Sequence, residues 1–252
     1  MIKKVKVIKW QGDLTETEDY VCVEETFEIF AVYEGQKEFI AELPASPSQL
    51  KELGAGFLVC EGLAEQEDIM DVWVDGNRIY VEIGRPPIYG RLMKIHSPCG
   101  DPYRARTGKT KGTNGGDLKV SPDLILRISS AMTTLPETWK KTGGTHWAAL
   151  FELNANIVAF SEDIGRHNAI DKVVGHAVLN GMDLGKLILA SSGRMPYGMV
   201  KKVVNAGIPI VVTKSPPTDK GVELAKRYGV TLIGFARGGR FNVYAGEERL
   251  AF

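Results

Sequence analysis

From Leu187 onward the chain alternates short apolar runs with capped amphipathic stretches: "LILAS" (187–191), "PYGMVKKVVNAG" (196–207), "IPIVVT" (208–213), "PTDKGVELAKRYG" (217–229) and "VTLIGFA" (230–236). Runs of five to seven apolar residues are strand-length, and each is separated from the next by about 12 helix-patterned residues. Such a chain buries both kinds of segment only when the strands lie side by side and the helices cover them, which predicts an α/β layer. Pro196 suits the first turn of one helix, and Gly207 and Gly229 suit helix ends. Upstream, Ser121 can cap a helix through about Met132, Trp147–Leu153 and Ile157–Phe160 flank the turn "NAN", and a helix is expected from about His167 to Leu179. "FNVYAG" reads as a last strand.

The first hundred residues read differently. Val5–Trp10, Tyr20–Val23, Glu25–Tyr33 and Lys37–Leu43 alternate as strands, and Trp73–Val74 and Arg78–Ile83 flank the hairpin signal "DGN". One helix interrupts them, with Ser46 or Ser48 as its expected cap and Leu50, Leu53, Phe57 and Leu58 on its apolar face. Between Gly100 and Gly116, "GDPYRARTGKTKGTNGG" has almost nothing to bury. The expected organisation is therefore a smaller β-rich domain over residues 1–100, a mobile loop or linker over 101–116, and an α/β domain over 117–252. No internal repeat is visible.

Composition excludes some functions. Lysine plus arginine total 31, as do aspartate plus glutamate, so net charge gives no argument for binding nucleic acid or an anionic membrane. No apolar run approaches the roughly 20 residues of a membrane helix. "MIKKVKVIKW" lacks the apolar core of a signal peptide and reads as a strand, so a cytoplasmic location is expected. Three widely spaced cysteines make no disulfide framework. Cys22 and Cys60 sit among apolar neighbours as expected core thiols.

Four glycine-bearing loops punctuate the α/β region: "KTGGTH" (141–146), "SEDIGRHN" (161–168), "SSGRMP" (191–196) and "FARGGRFN" (235–242). In open α/β sheets such loops gather at strand ends, where ligands bind, and helix N-termini there suit phosphate. Arg166, Arg194, Arg237 and Arg240 lie in them, and guanidinium groups pair with phosphate oxygens. An anionic ligand, most simply a nucleotide or phosphorylated cofactor, is the functional reading; turn glycines with solvated arginines are the alternative. No loop matches a Walker or Rossmann pattern. Candidate contacts in the first and second loops are Gly143, Gly144 and His146, then Asp163, Gly165, Arg166 and His167. In the third they are Ser192, Gly193 and Arg194. Asp163 is the expected cap of the following helix, and His167 and Asp171, four apart, share one helical face as an acid/base pair or a packing detail. His176 falls on roughly the opposite face and reads as surface or core.

Cys99, in "IHSPCGDPYR", stands apart. It opens the glycine-rich stretch, with His96 three residues before it and Arg104 and Arg106 after it. A reachable thiol in an electropositive loop suits a nucleophile or sulfur carrier; a functionless surface cysteine is the alternative. A deaminase-type zinc site does not fit: Pro98-Cys99 is present, but Pro102 stands where the second cysteine belongs and no His-x-Glu exists.

Together "TGGTH", "SEDIGRHNAIDKVVG", "SSGR", "AGIPIVV" and "GFARGGRFNVYAG" resemble, in the same order, the FdhD family of formate dehydrogenase accessory proteins, over about residues 20–250. The resemblance implies a cytidine-deaminase-like C-terminal domain with a mixed sheet but without zinc chemistry, and a homodimer. It implies a sulfurtransferase role in which Cys99 takes sulfur from a cysteine desulfurase as a persulfide. The sulfur would pass to a molybdenum or tungsten bis-guanylyl-pterin cofactor destined for formate dehydrogenase. It implies binding of that cofactor, or of a GDP-like nucleotide, by Phe235, Ala236, Arg237, Gly238, Gly239 and Arg240. The family usually carries Cys-Gly-x-Cys-Gly in the mobile loop; its second cysteine falls at Pro102 here. Two other readings stay open: a non-catalytic cofactor chaperone, and a nucleotide-modifying enzyme of deaminase-like fold.

Overall fold

The computed structural model describes residues 1–87, 93–94 and 118–251; Cys99, His96, Pro102, Arg104 and Arg106 lie outside the described residues. The chain opens with an antiparallel ribbon, β1 (Ile2–Trp10) against β2 (Leu14–Cys22), paired from Ile2 opposite Cys22 to Trp10 opposite Leu14. Both strands outrun the sequence expectation. The ribbon stands largely in solvent, with Trp10 67% exposed near its tip, so "LTETED" carries no apolar alternation to announce a strand.

Next come β3 (Glu25–Tyr33), β4 (Gln36–Ala45), α1 (Leu50–Cys60), β5 (Ile69–Asp75), β6 (Arg78–Ile83) and β7 (Met93–Lys94). They form a five-stranded sheet in the order β5-β6-β3-β4-β7. Phe27, Ile29, Leu43, Ile79 and Val81 point to one face and pack on Leu53, Phe57 and Leu58 of α1. The other face carries a ladder of stacked and edge-on rings, Trp73–Tyr80–Phe30–Phe39. Neither expected serine caps α1. Its N-cap is Gln49, and Ser46 is drawn into the loop of residues 161–166 instead, accepting from the Ile164 N–H at 3.2 Å.

The remaining elements are α2 (Pro122–Thr134), α3 (Glu137–Thr142), β8 (His146–Phe151), β9 (Ile157–Asp163), α4 (Arg166–Leu179) and β10 (Ile188–Ser191). After them follow α5 (Tyr197–Asn205), β11 (Ile210–Thr213), α6 (Asp219–Tyr228), β12 (Thr231–Arg237) and β13 (Arg240–Ala245). Ser121 caps α2 as its sequence suggests, accepting from Leu124 N–H at 3.2 Å. The six strands run β13-β12-β11-β10-β8-β9. β10, β11 and β12 are mutually parallel; β8, β9 and β13 pair antiparallel with their neighbours. Alternate residues serve the two faces. Ala148, Leu150, Leu189 and Val211 meet α4, α5 and α6, while Trp147, Ala149, Ala190 and Val212 meet α2. Burial on both faces is why these strands read as unbroken apolar runs.

The two sheets are joined through helices. Gly56 of α1 lies so close to α4 that a Cβ there would stand 1.7 Å from the Asp171 carbonyl oxygen, and one on Gly175 would stand 1.9 Å from that of Glu52. Beside this crossing, buried Lys202 of α5 bonds Glu61 at 2.7 Å and Asp171 at 2.5 Å. A lysine so placed persists because both carboxylates replace the water it has lost. The thiol of Cys60, buried here as expected, is pushed well above its ordinary pKa by burial and by Asp171. Cys22 is a different matter: it is half-buried at the end of β2, its Sγ 3.1 Å from Thr142 Oγ1 rather than in a core. Among the described residues no helix is long and apolar enough to cross a membrane. The architecture is mixed α/β.

Candidate functional site

Parallel strands point their carboxyl ends the same way, and antiparallel neighbours present their amino ends there. That rule places the loops after β9, β10, β11 and β12, and the loop before β8, on one edge of the six-stranded sheet. All four glycine-bearing segments therefore share this edge. From β12 to β9 it spans four strand spacings, about 19 Å.

Hydrogen bonds stitch the edge together. Ser192 N–H donates to Trp147 C=O at 3.0 Å, and Ser192 Oγ accepts from Trp147 N–H at 3.0 Å. The same Oγ lies 3.3 Å from His146 Nδ1. Thr213 Oγ1 donates to Gly193 C=O at 2.7 Å, and Ser215 Oγ to Ser192 C=O at 2.8 Å. Met195 pairs with the loop after β11 through Pro216 and Thr218, and Phe235 N–H reaches Ser215 C=O at 3.4 Å. Gly193 carries no side chain because Arg166 occupies the space; a Cβ would stand 3.0 Å from Arg166 Cβ and Cδ.

The sequence-derived candidates divide by burial. His146, Arg166, Ser192 and Phe235 are half-buried at the edge, and Gly143, Gly144, Arg194, Arg237, Gly238, Gly239 and Arg240 are exposed. Asp163, Gly165, His167, Gly193 and Ala236 are buried. Asp163 is not the helix cap; Gly165 occupies that position, and α4 starts at Arg166. Asp163 lies one strand over from His146 and is consumed internally. Its carboxylate accepts from Gly165 N–H (2.8 Å), Asn168 Nδ2 (2.9 Å), Ser46 N–H (3.0 Å) and Lys172 Nζ (2.6 Å). This gives it a framework role: it fixes the loop that aims Arg166. His167 and Asp171 are likewise fully buried, and Asp171 answers to Lys202. Ala236 is held from behind, its carbonyl accepting from Ser129 Oγ at 2.8 Å.

Electrostatics favour an anion. Burial, together with the Arg166 and Arg194 cations, holds the His146 imidazole below its ordinary value, against an opposing pull from Asp163. Arg194, Arg237 and Arg240 have no carboxylate partner among the described residues. Arg237 lies 5.5 Å over the Phe235 ring. Phe235 itself has φ 52, a left-handed conformation that is strained for a bulky residue, and Gly238 and Gly239 (φ 60 and 74) turn the chain back into β13.

Three contributors escape a reading of the sequence alone. Ser46 and Asn168 brace the loop of residues 161–166 from 117 and 5 positions away in its contacts with Asp163. Lys214, just past β11, lies at the centre of the edge, its Nζ 3.0 Å from Thr133 Oγ1 and 5.5 Å over the Trp147 ring. The apolar run before it was the available signal; a lysine after a strand is otherwise unremarkable.

The chain has known relatives. A protein FdhD of Methanocaldococcus jannaschii is 41% identical over 97% of this chain and 96% of its own length. A sulfur carrier protein FdhD of Sulfurisphaera tokodaii is 37% identical over 99% of both chains, and one of Bacillus subtilis 34% identical over 95% of this chain and 94% of its own. The crystal structure of a protein from Desulfotalea psychrophila, provisionally described as a formate dehydrogenase accessory protein, superposes with a TM-score of 0.77 at 26% identity, covering 100% of this chain and 99% of that one. The FdhD/NarQ family model matches residues 23–251, which takes in the whole of this sheet edge, and the chain belongs to that family.

Proposed function

We propose that this chain is a sulfur carrier in the maturation of formate dehydrogenase, receiving sulfur on Cys99 and passing it to a bis-guanylyl-pterin cofactor of molybdenum or tungsten held at the sheet edge. The observation that carries this reading is the convergence of loops 141–146, 161–168, 191–196 and 235–242 on one edge, where Arg194, Arg237 and Arg240 have no carboxylate partner among the described residues. A long, multiply charged cargo needs such a row of separated cations; a single small anion does not. Relatives named as sulfur carriers, similar over nearly the full chain, support the chemistry. The hairpin β8–β9 followed by three strands, each separated from the last by a helix, supports a cytidine-deaminase-like origin for the C-terminal layer.

Loading of Cys99 is an exchange, not a net oxidation. The Cys99 thiolate attacks the terminal sulfur of the desulfurase persulfide. That donor's S–S bond breaks, its cysteine leaves as thiolate, and the new S–S bond is at Cys99. Passing the terminal sulfur on would break the Cys99 S–S bond and return the Cys99 thiolate; the sulfur leaves at the zero oxidation level, so two electrons from the reduced metal centre of the cargo, or from a thiol reductant, would be needed to bring it to sulfide. The family's second cysteine is replaced by Pro102, so no disulfide can close between those two positions, which leaves a cofactor-binding chaperone without sulfur transfer as the rival reading.

Intact-mass measurement separates them. After incubation with a cysteine desulfurase and cysteine, the wild-type chain should gain the mass of one sulfur, and Cys99→Ala should gain none. A wild type that gains no mass overturns sulfur transfer and leaves a cofactor chaperone.

A further inference from the structure

We propose that Lys214 forms a second anion subsite on the α2 side of the sheet edge, where it takes a phosphate or diphosphate group of the cargo. The identity of the cargo rests on the reading above; the anion subsite does not.

Position comes first. His146 and Trp147 are consecutive in β8, so their side chains leave opposite faces of the sheet. Arg166 opens α4 and packs against Gly193, and both it and Arg194 act on His146. Lys214 lies over Trp147 and bonds Thr133 of α2, so it belongs to the other side. Its loop is tied to both flanking segments. Lys214 N–H donates to Ser191 C=O at 3.2 Å, Ser215 Oγ to Ser192 C=O, and Phe235 N–H to Ser215 C=O. The backbone at Lys214 and Ser215 is thus tied to the 191–196 loop and to Phe235, while Thr133 and the Trp147 ring hold the ammonium.

Charge comes next. Among the described residues the fully buried lysines are matched to acids: Lys172 to Asp163, and Lys202 to Glu61 and Asp171. Lys214 is half-buried, yet its one polar side-chain contact among the described residues is a neutral hydroxyl. Burial lowers its pKa and no carboxylate pulls the other way. Withdrawing an ammonium from water without a counter-charge is unfavourable, and a bound anion relieves that cost. Two N–H groups remain for it, since Thr133 accepts one of three. A cargo with two nucleotide ends could then engage both faces of the edge at once, one anionic group by Arg166 and Arg194 and the other at Lys214, each contact raising the effective concentration for the next.

Titration calorimetry on the full chain tests this with GDP, guanosine and inorganic diphosphate as separate probes. Lys214→Met should weaken GDP and diphosphate roughly tenfold or more and flatten their salt dependence. Guanosine binding should be unaffected, and the melting temperature should hold or rise because a half-buried charge has gone. Lys214→Arg should keep most of the affinity. Unchanged GDP and diphosphate binding by Lys214→Met overturns the subsite, as does an equal loss of guanosine, which would mean a damaged pocket. Wild type that binds diphosphate but not GDP keeps the subsite and counts against a guanylyl cargo. Wild type that binds neither removes the subsite.

Discussion

At Asp163 one carboxylate holds four donors from two separate parts of the chain, and Lys172 supplies the only formal charge among them. Removing that lysine leaves the aspartate buried and uncompensated. Lys172→Met should therefore cost about 3–5 kcal/mol in urea unfolding. Adding Asp163→Asn should restore a good part of the loss, a non-additivity that a double-mutant cycle would measure. His146 gives a second prediction, in pH. Its folded-state pKa lies below the ordinary 6.5 because of burial and the neighbouring arginines. The unfolded chain thus takes up the proton first, so this residue's contribution is complete above pH 6.5 and drains away as pH falls toward the lowered value. Unfolding of His146→Gln should show a shallower decline over that interval, and equal slopes would contradict the assignment. Residues differ in how openly the sequence declares them. The arginines and glycines of the four loops stand out because the two residue types recur together between apolar runs. Ser46 reads as a helix cap because a serine before an apolar run usually is one; its true partner, the loop at residue 164, lies 118 positions away.

Elements were legible where burial imposes a period. β11, with Ile210 and Val212 toward α2 and Val211 toward the layer of α4, α5 and α6, could be nothing but a strand covered on both faces, and Ser121 announced α2. The six-residue α3 after Pro136 escaped because it buries nothing, and β2 because pairing with β1, not an apolar face, makes it a strand. The contact of α1 with α4 was equally silent. Gly56 and Gly175 look like ordinary helix-weakening glycines until the two backbones are seen to touch. Gly175→Ala should destabilise the chain by more than the roughly 1–3 kcal/mol of ordinary overpacking, because the obstacle is backbone rather than a flexible side chain. Chemical denaturation would show it, and a loss below 1 kcal/mol would mean the helices can part at little cost.

At the scale of the whole molecule, the edge that gathers the loops belongs to the six-stranded sheet, while the bracing from Ser46, Gln49 and Glu61 comes from the first sheet's side. The site therefore depends on both. Composition, neutral in net charge, gave no sign of this, since the cations are concentrated by topology rather than by count.

Two backbones pressed together at Gly56 and Gly175 leave no layer of side chains on which one sheet could slide past the other. Heating should accordingly produce one calorimetric peak, not two. In deuterated buffer, the amides around that contact should be among the slowest to exchange, while the β1–β2 ribbon loses its protons early.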